Sequence, residues 1–268
     1  MRLSIMIEKG IGRSIQMNQP TFGGEKPLLT VMLQCETPDI LIGRIRNALC
    51  DGAEAFGLQA EWLKPEFQTP AVFEQLIREM RDRPCYVTNY RGRNNGDTPD
   101  EVLAEGLLTW AKCGANLCDV PGDLFCKHPL QMTEDPVAIR KQMDLIDQLH
   151  GLRAQVLMSA HIFTFTPAEK VLEVALEQKR RGADVVKIVT GADTMEQQLE
   201  NLRITHLLKQ ELGIPFLFLS GGQCSLHRRL GIRLGCCMAL CTYEHDAYSS
   251  FPQPLLRIMK SIRDDMGF

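Results

Sequence analysis

The chain has 268 residues, 30 Lys and Arg against 33 Asp and Glu for a formal charge of −3, and 44% apolar residues. That length buries a full core in one large domain or two small ones, and near-balanced charge spread along the chain excludes the electrostatic signature of a nucleic-acid or membrane-surface partner. No apolar run reaches bilayer length, and the first residues, MRLSIMIEKGIGRSIQ, carry Arg2, Glu8, Lys9 and Arg13 without a sustained apolar stretch, so a cytoplasmic protein with a small-molecule partner is expected.

Residues 1–27 precede the first strong strand signal and are expected to form a hairpin closing the floor of the fold. From Leu28 onward, short apolar runs alternate with longer amphipathic segments, the pattern of βα units building a parallel sheet. Strands are expected at 28–34, 55–61, 85–89, 115–120, 154–159, 183–188, 215–220 and 236–241. Helices are expected at about 37–51, 70–81, 98–113, 135–150, 167–181, 194–212, 225–234 and 253–266. The openings TPDILIGRI, TPDEVLAEG and TPAEKVLEV put Thr37, Thr98 and Thr166 at N-caps with proline in the first turn, and Gly52, Gly114, Gly151, Gly182 and Gly213 fall where helices should stop. Eight such pairs without a linker imply a single-domain (β/α)8 TIM barrel over 1–268. A doubly wound sheet would need a glycine-rich phosphate loop after an early strand, and the sequence has none.

Ten cysteines in a chain of this size read as reduced thiols. No pair has C-x-x-C spacing. Cys118, Cys126 and His128 lack a fourth ligand for zinc, so no metal and no cofactor is expected.

A TIM barrel gathers its chemistry at the C-terminal ends of its strands. The polar residues delivered there are Gln34, Glu61, Thr88, Arg91, Asp119, Ser159, His161, Lys187, Ser220 and Arg228. Lys187, in GADVVKIVT, sits on a buried strand. It reads either as an amine kept nucleophilic by apolar surroundings or as a lysine whose stem lies along the strand while its ammonium reaches water. Glu61 and Asp119 could equally cap nearby backbone, His161 could be a hydrogen-bonded structural histidine, and SGGQ (220–223) could be a phosphate loop or a plain turn.

Longer motifs add to this. QVLMSAHIFTFTPAEKVLE (155–173) followed by GADVVKIV resembles the segment of type I 3-dehydroquinate dehydratases that carries the catalytic histidine and the Schiff-base lysine. HRRLGIRLGC (227–236) is similar to the stretch with that family's carboxylate-binding arginine, SSFPQP (249–254) to its substrate-contacting serine and glutamine loop, and LQAEW (58–62) to its Glu-Trp-Arg strand end. The resemblance covers nearly the whole chain. It implies Lys187 as the imine-forming residue, His161 as general base and acid, Arg228 as carboxylate clamp, and Ser249, Gln253, Glu61, Thr88 and Arg91 as further substrate contacts. The implied reaction is loss of water from a carboxylated β-hydroxy ketone, without cofactor; a homodimer is compatible with it.

The departures are equally specific. Leu63 and Pro65 stand where the family has Arg and Asp, Tyr90 and Asn94 stand at the arginine and glutamate positions of its third strand, Pro121 replaces a glutamate after strand 4, and Ile162 replaces an aspartate beside the histidine. Glu61 is the candidate to replace the glutamate that orients the histidine. Exchanging polar groups that read substrate hydroxyls changes which substrate leaves none unpaired. Three other readings therefore stand: the same Lys187 and His161 machinery acting on another carboxylated keto-sugar or keto-acid as dehydratase or aldolase, a non-catalytic carboxylate-binding barrel, and a metal-assisted enzyme using Glu61, Asp119 and His161.

Overall fold

The computed structural model describes residues 22–223, 226–249 and 253–267. The expected N-terminal hairpin lies outside these residues up to position 21; its described end is a turn in which Phe22 packs edge-on against the Tyr86 ring, 6.5 Å between centroids.

Eight strands, β1 (Leu28–Leu33), β2 (Ala55–Gln59), β3 (Cys85–Thr88), β4 (Leu117–Pro121), β5 (Gln155–His161), β6 (Val185–Thr190), β7 (Phe216–Ser220) and β8 (Met238–Cys241), alternate with eight α-helices. The helices are α1 (Pro38–Cys50), α2 (Pro70–Glu79), α3 (Asp100–Lys112), α4 (Pro136–Gly151), α5 (Ala168–Arg180), α6 (Met195–Glu211), α7 (His227–Leu234) and α8 (Leu256–Met266). Consecutive strands from β1 to β7 pair in parallel and β1 also pairs with β8. At the remaining seam the Cys237 N–H donates to the Phe216 carbonyl at 2.9 Å, so the ring is nearly closed. The strands are continuous apolar runs because side chains on one face fill the barrel and those on the other meet the helices; β1, β6 and β8 are buried at every position.

Some local expectations are corrected. Thr98 and Thr166 do not cap their helices: their hydroxyls donate to the carbonyls of Asn95 and Thr164, and α3 and α5 start one residue later, behind Pro99 and Pro167. Thr37 is the N-cap of α1 but makes no side-chain cap bond. Side-chain caps come instead from Thr69, Asp135 and Thr194. Gly52, Gly114, Gly182 and Gly213 adopt positive φ past their helices, whereas Gly151 stays helical and the left-handed residue after α4 is Arg153, φ 65°. Strand β2 ends at Gln59, because the chain turns at once into a 3-10 turn, Ala60–Trp62, closed by the Leu63 N–H on the Ala60 carbonyl. Glu61 therefore lies on a turn rather than at a strand end.

Candidate active site

The period-two alternation of strands points every second residue into the barrel. On neighbouring strands this brings Tyr86 (β3), Asp119 (β4), Ser159 (β5) and Lys187 (β6) together. The main chain of Lys187 is held by Gln178 of α5, whose side-chain amide accepts from its N–H and donates to its carbonyl, each at 3.2 Å. Lys187 as a residue is 4% exposed. The three N–H bonds of the ammonium go to the Tyr86 hydroxyl at 2.9 Å, the Tyr90 hydroxyl at 2.8 Å and Asp119 Oδ2 at 3.1 Å. Both phenols donate to that same carboxylate oxygen, and Ser159 donates to Oδ1 at 2.5 Å. A buried ion pair is costly unless its remaining donors and acceptors are satisfied; here both partners are. Burial and the adjacent Asp119 charge raise both tyrosines well above the usual phenol value, so they are neutral donors.

His161 is the last residue of β5. Its backbone N–H donates to Gln131 Oε1 at 2.7 Å, and its ring Nδ1 lies 3.2 Å from the same oxygen. An amide oxygen only accepts, so the ring proton belongs on Nδ1 and Nε2 keeps its lone pair. The ring meets Tyr90 edge-on at 5.2 Å and stacks beside Phe163 at 5.9 Å. Burial first, then the Lys187 charge, lower the imidazole pKa to about 3, against a smaller opposing effect of Asp119. At neutral pH it is an uncharged base. Gln131 has φ 49° and Phe163 φ 60°, unusual for residues with a Cβ; both flank the imidazole. Gly191, after β6, allows that approach, since a Cβ there would lie 2.4 Å from the Phe163 carbonyl oxygen.

Arg228, at the start of α7, donates through Nε to the Ser220 carbonyl at 3.0 Å. Burial lowers its pKa to about 10, which leaves it a cation at neutral pH. Lys187, His161, Tyr90, Thr88, Arg91, Arg228 and Gln253 all line one cavity of about 590 Å³ at the C-terminal mouth, with Met32, Val189, Leu219 and Leu240 as apolar wall. The Gln253 side-chain oxygen is buried without a partner among the described residues.

Other expected site residues stand differently. Glu61 is buried behind Thr88 and bonds its hydroxyl at 2.8 Å, Gln59 at 2.9 Å and the Tyr90 N–H at 3.3 Å; burial pushes its carboxyl up. It does not touch His161, whose ring partner is Gln131. Arg91 lines the mouth, but its guanidinium is engaged by Asp100 and Asp123. Ser249 does not line the cavity: its hydroxyl closes a turn with Asp246, and 250–252 lie outside the described residues. Asn94 donates to the Trp62 carbonyl at 2.7 Å and Leu63 is in the core. The Gly221 N–H of the SGGQ segment is spent on the Thr190 carbonyl at 2.7 Å.

Sequence reasoning missed Tyr86, Gln131 and the role of Tyr90. Counting by two from Thr88 would have turned Tyr86 inward; Gln131 sits in an irregular loop with no periodic signal.

A model of the type I 3-dehydroquinase family matches residues 29–264. The 3-dehydroquinate dehydratase of Klebsiella pneumoniae subsp. pneumoniae is 23% identical over 219 residues, covering 78% of this chain and 82% of that protein. The enzyme of that name from Geobacillus thermodenitrificans is 32% identical over 78 residues, 29% of this chain and 30% of its own. Among solved structures, the 3-dehydroquinate dehydratase of Geobacillus kaustophilus superposes with a TM-score of 0.75 at 16% identity, covering 92% of this chain and 95% of its own. The type I enzyme of Clostridium difficile, solved with covalently modified comenic acid, superposes with a TM-score of 0.77 at 15% identity, covering 91% and 94%. At those identities the structural likeness speaks for the fold.

Proposed function

The chain belongs to the type I 3-dehydroquinase family, and on that basis we propose that it is a lyase that forms an imine through Lys187 and removes water from a carboxylated β-hydroxy ketone. The observation that carries this reading is the shared cavity: an amine on β6, an uncharged imidazole on β5 and a guanidinium on α7 face one space. Lys187 condenses with the ketone, expelling water, and the iminium draws electrons from the neighbouring C–H bond. His161 takes that proton at Nε2; the C–H electron pair forms an enamine, which then pushes out the β-hydroxyl as His161 returns the proton to it, so water leaves. Arg228 pairs with the carboxylate and fixes the α-carbon against the imidazole. Gln253, with an unpartnered side-chain oxygen on the cavity, takes a substrate hydroxyl.

The substrate is one with a single carboxylate and fewer hydroxyls to satisfy than the family's shell reads. Arg91 is neutralised by two aspartates, and Tyr90 and Pro121, both on the cavity, stand where the resemblance expects an arginine and a glutamate. 3-Dehydroquinate is the first compound to test, and smaller carboxylated hydroxyketones the next. Borohydride added during incubation with either should yield a stable mass adduct that Lys187→Ala lacks; an adduct undiminished in Lys187→Ala overturns the imine. Elimination yields a conjugated enone that absorbs in the ultraviolet, whereas carbon–carbon cleavage yields two fragments and would make the protein an aldolase.

A further inference from the structure

An amine attacks a ketone only after it has lost its proton, and the carbonyl oxygen must then collect two protons before it leaves as water. His161 is bound through Nδ1 to Gln131, and no bond joins it to the Lys187 amine; the groups on that amine are Asp119, Tyr86 and Tyr90. Tyr90 lines the cavity and Tyr86 does not. Asp119 Oδ2 is the common acceptor of both phenols and the ammonium, with Ser159 holding its other oxygen.

We propose that Asp119 and Tyr90 form a proton relay for making and breaking the imine, separate from the His161 base, with Tyr86 fixing the carboxylate. Asp119 takes the ammonium proton and becomes neutral, leaving a free amine. The amine electron pair forms the C–N bond while the carbonyl π pair moves onto oxygen. Tyr90, 2.8 Å from Nζ and facing the cavity, gives its proton to that oxygen and is reprotonated by Asp119. The resulting N-protonated carbinolamine returns a proton from nitrogen to Asp119, and the same route delivers it to the hydroxyl. Breaking of the C–O bond releases water and leaves the iminium, with Asp119 ionised again. The sum consumes ketone and ammonium and yields iminium and water. Tyr90 stands where the family resemblance has an arginine, so the relay is a property of this chain's own residues.

The relay rests on the imine reading of Lys187, and the experiment separates the two. Wild type, Tyr90→Phe, Tyr86→Phe and Asp119→Gly are mixed with 3-dehydroquinate or, as the smallest carboxylated ketone, pyruvate. They are quenched with borohydride at timed intervals, and the Lys187 adduct is quantified by mass, with folding checked by near-ultraviolet circular dichroism. Tyr90→Phe should slow adduct formation by about 100-fold or more, the usual worth of a general acid–base group, and Tyr86→Phe by clearly less. Asp119→Gly should be slow and regain rate with added formate or acetate to an extent that follows their basicity, a dependence that a carboxylate acting only by position would not show. Equal rates in wild type and Tyr90→Phe overturn the relay and leave the imine standing. No adduct in wild type with either ketone overturns both. Should Asp119→Gly fail to fold, the Tyr90→Phe rate alone decides.

Discussion

Lys187 illustrates how a barrel interior changes the chemistry of one side chain. Three donors on a buried ammonium find three oxygens, so the amine is fixed in direction, which a mobile surface lysine is not. The same cluster acts on His161, because the Lys187 charge is the second cause of its lowered pKa. Replacing Lys187 with Met removes that charge and leaves the Asp119 carboxylate, which acts in the opposite sense. The His161 titration, about 3 in the native chain, should therefore move upward in Lys187→Met. Imidazole 15N–1H correlation spectra across pH will read it; an unchanged or lower value would contradict the geometry. At Arg228, the planar fork suits a carboxylate in a way an ammonium does not. Arg228→Lys should raise KM by about tenfold or more, from loss of a charge-assisted bidentate pair worth roughly 1.5–3 kcal/mol, with a smaller effect on kcat in steady-state assays.

The element that decides the site is the long connection from β4 to α4, which brings Asp123 and Gln131 to the cavity. It is anchored by Arg181, just beyond α5 and 3% exposed, which donates to the carbonyls of Gly122 and Thr133, to Gln142 Oε1, and to Glu177. Gln142 in turn donates to the Gly122 and Leu124 carbonyls. These carbonyls belong to irregular backbone; Gly122 also accepts from the Thr133 N–H, whereas the Thr133 carbonyl takes its bond from the guanidinium. Arg181→Met keeps the stem's packing but takes the guanidinium from the Thr133 carbonyl, Gln142 Oε1 and Glu177, so it should cost about 3 kcal/mol in urea unfolding. It should also loosen Gln131, and so lower turnover more than Arg181 would by charge alone, since it lies outside the cavity.

Across the whole molecule, burial of titratable groups couples folding to pH. His161 and His227 both have folded pKa values of about 3, below the unfolded value of 6.5. His227 bonds Thr205 through Nε2 at 2.7 Å and has no partner on Nδ1 among the described residues, so a second ring proton would sit there unsatisfied. Between pH 6.5 and 3 the unfolded chain binds more protons at these sites, so stability falls as pH falls. The slope is at most about 1.4 kcal/mol per pH unit for each histidine. Glu61 works the other way. Its carboxyl is raised by burial, so the folded chain holds that proton more firmly and loses stability as pH rises through the Glu61 titration. Urea unfolding of His227→Gln at pH 7 and pH 5 should show a smaller difference than in the native chain.

The sequence by itself determined the alternation of eight strands and eight helices, because apolar run length and periodicity report burial locally. It also determined the order His161, Lys187, Arg228 along successive βα units, since register in a parallel barrel delivers strand ends to one mouth. What only the tertiary structure decided is which polar groups meet there. Asp119, read as either a cap or a site residue, proved to be the partner of Lys187 across two strands. Glu61, the expected partner of His161, turned away under Thr88, and Gln131 came from a loop to take that place. Hydrogen bonds between side chains on different strands depend on barrel curvature and loop paths, set by packing across the whole ring, and no local window of sequence contains them.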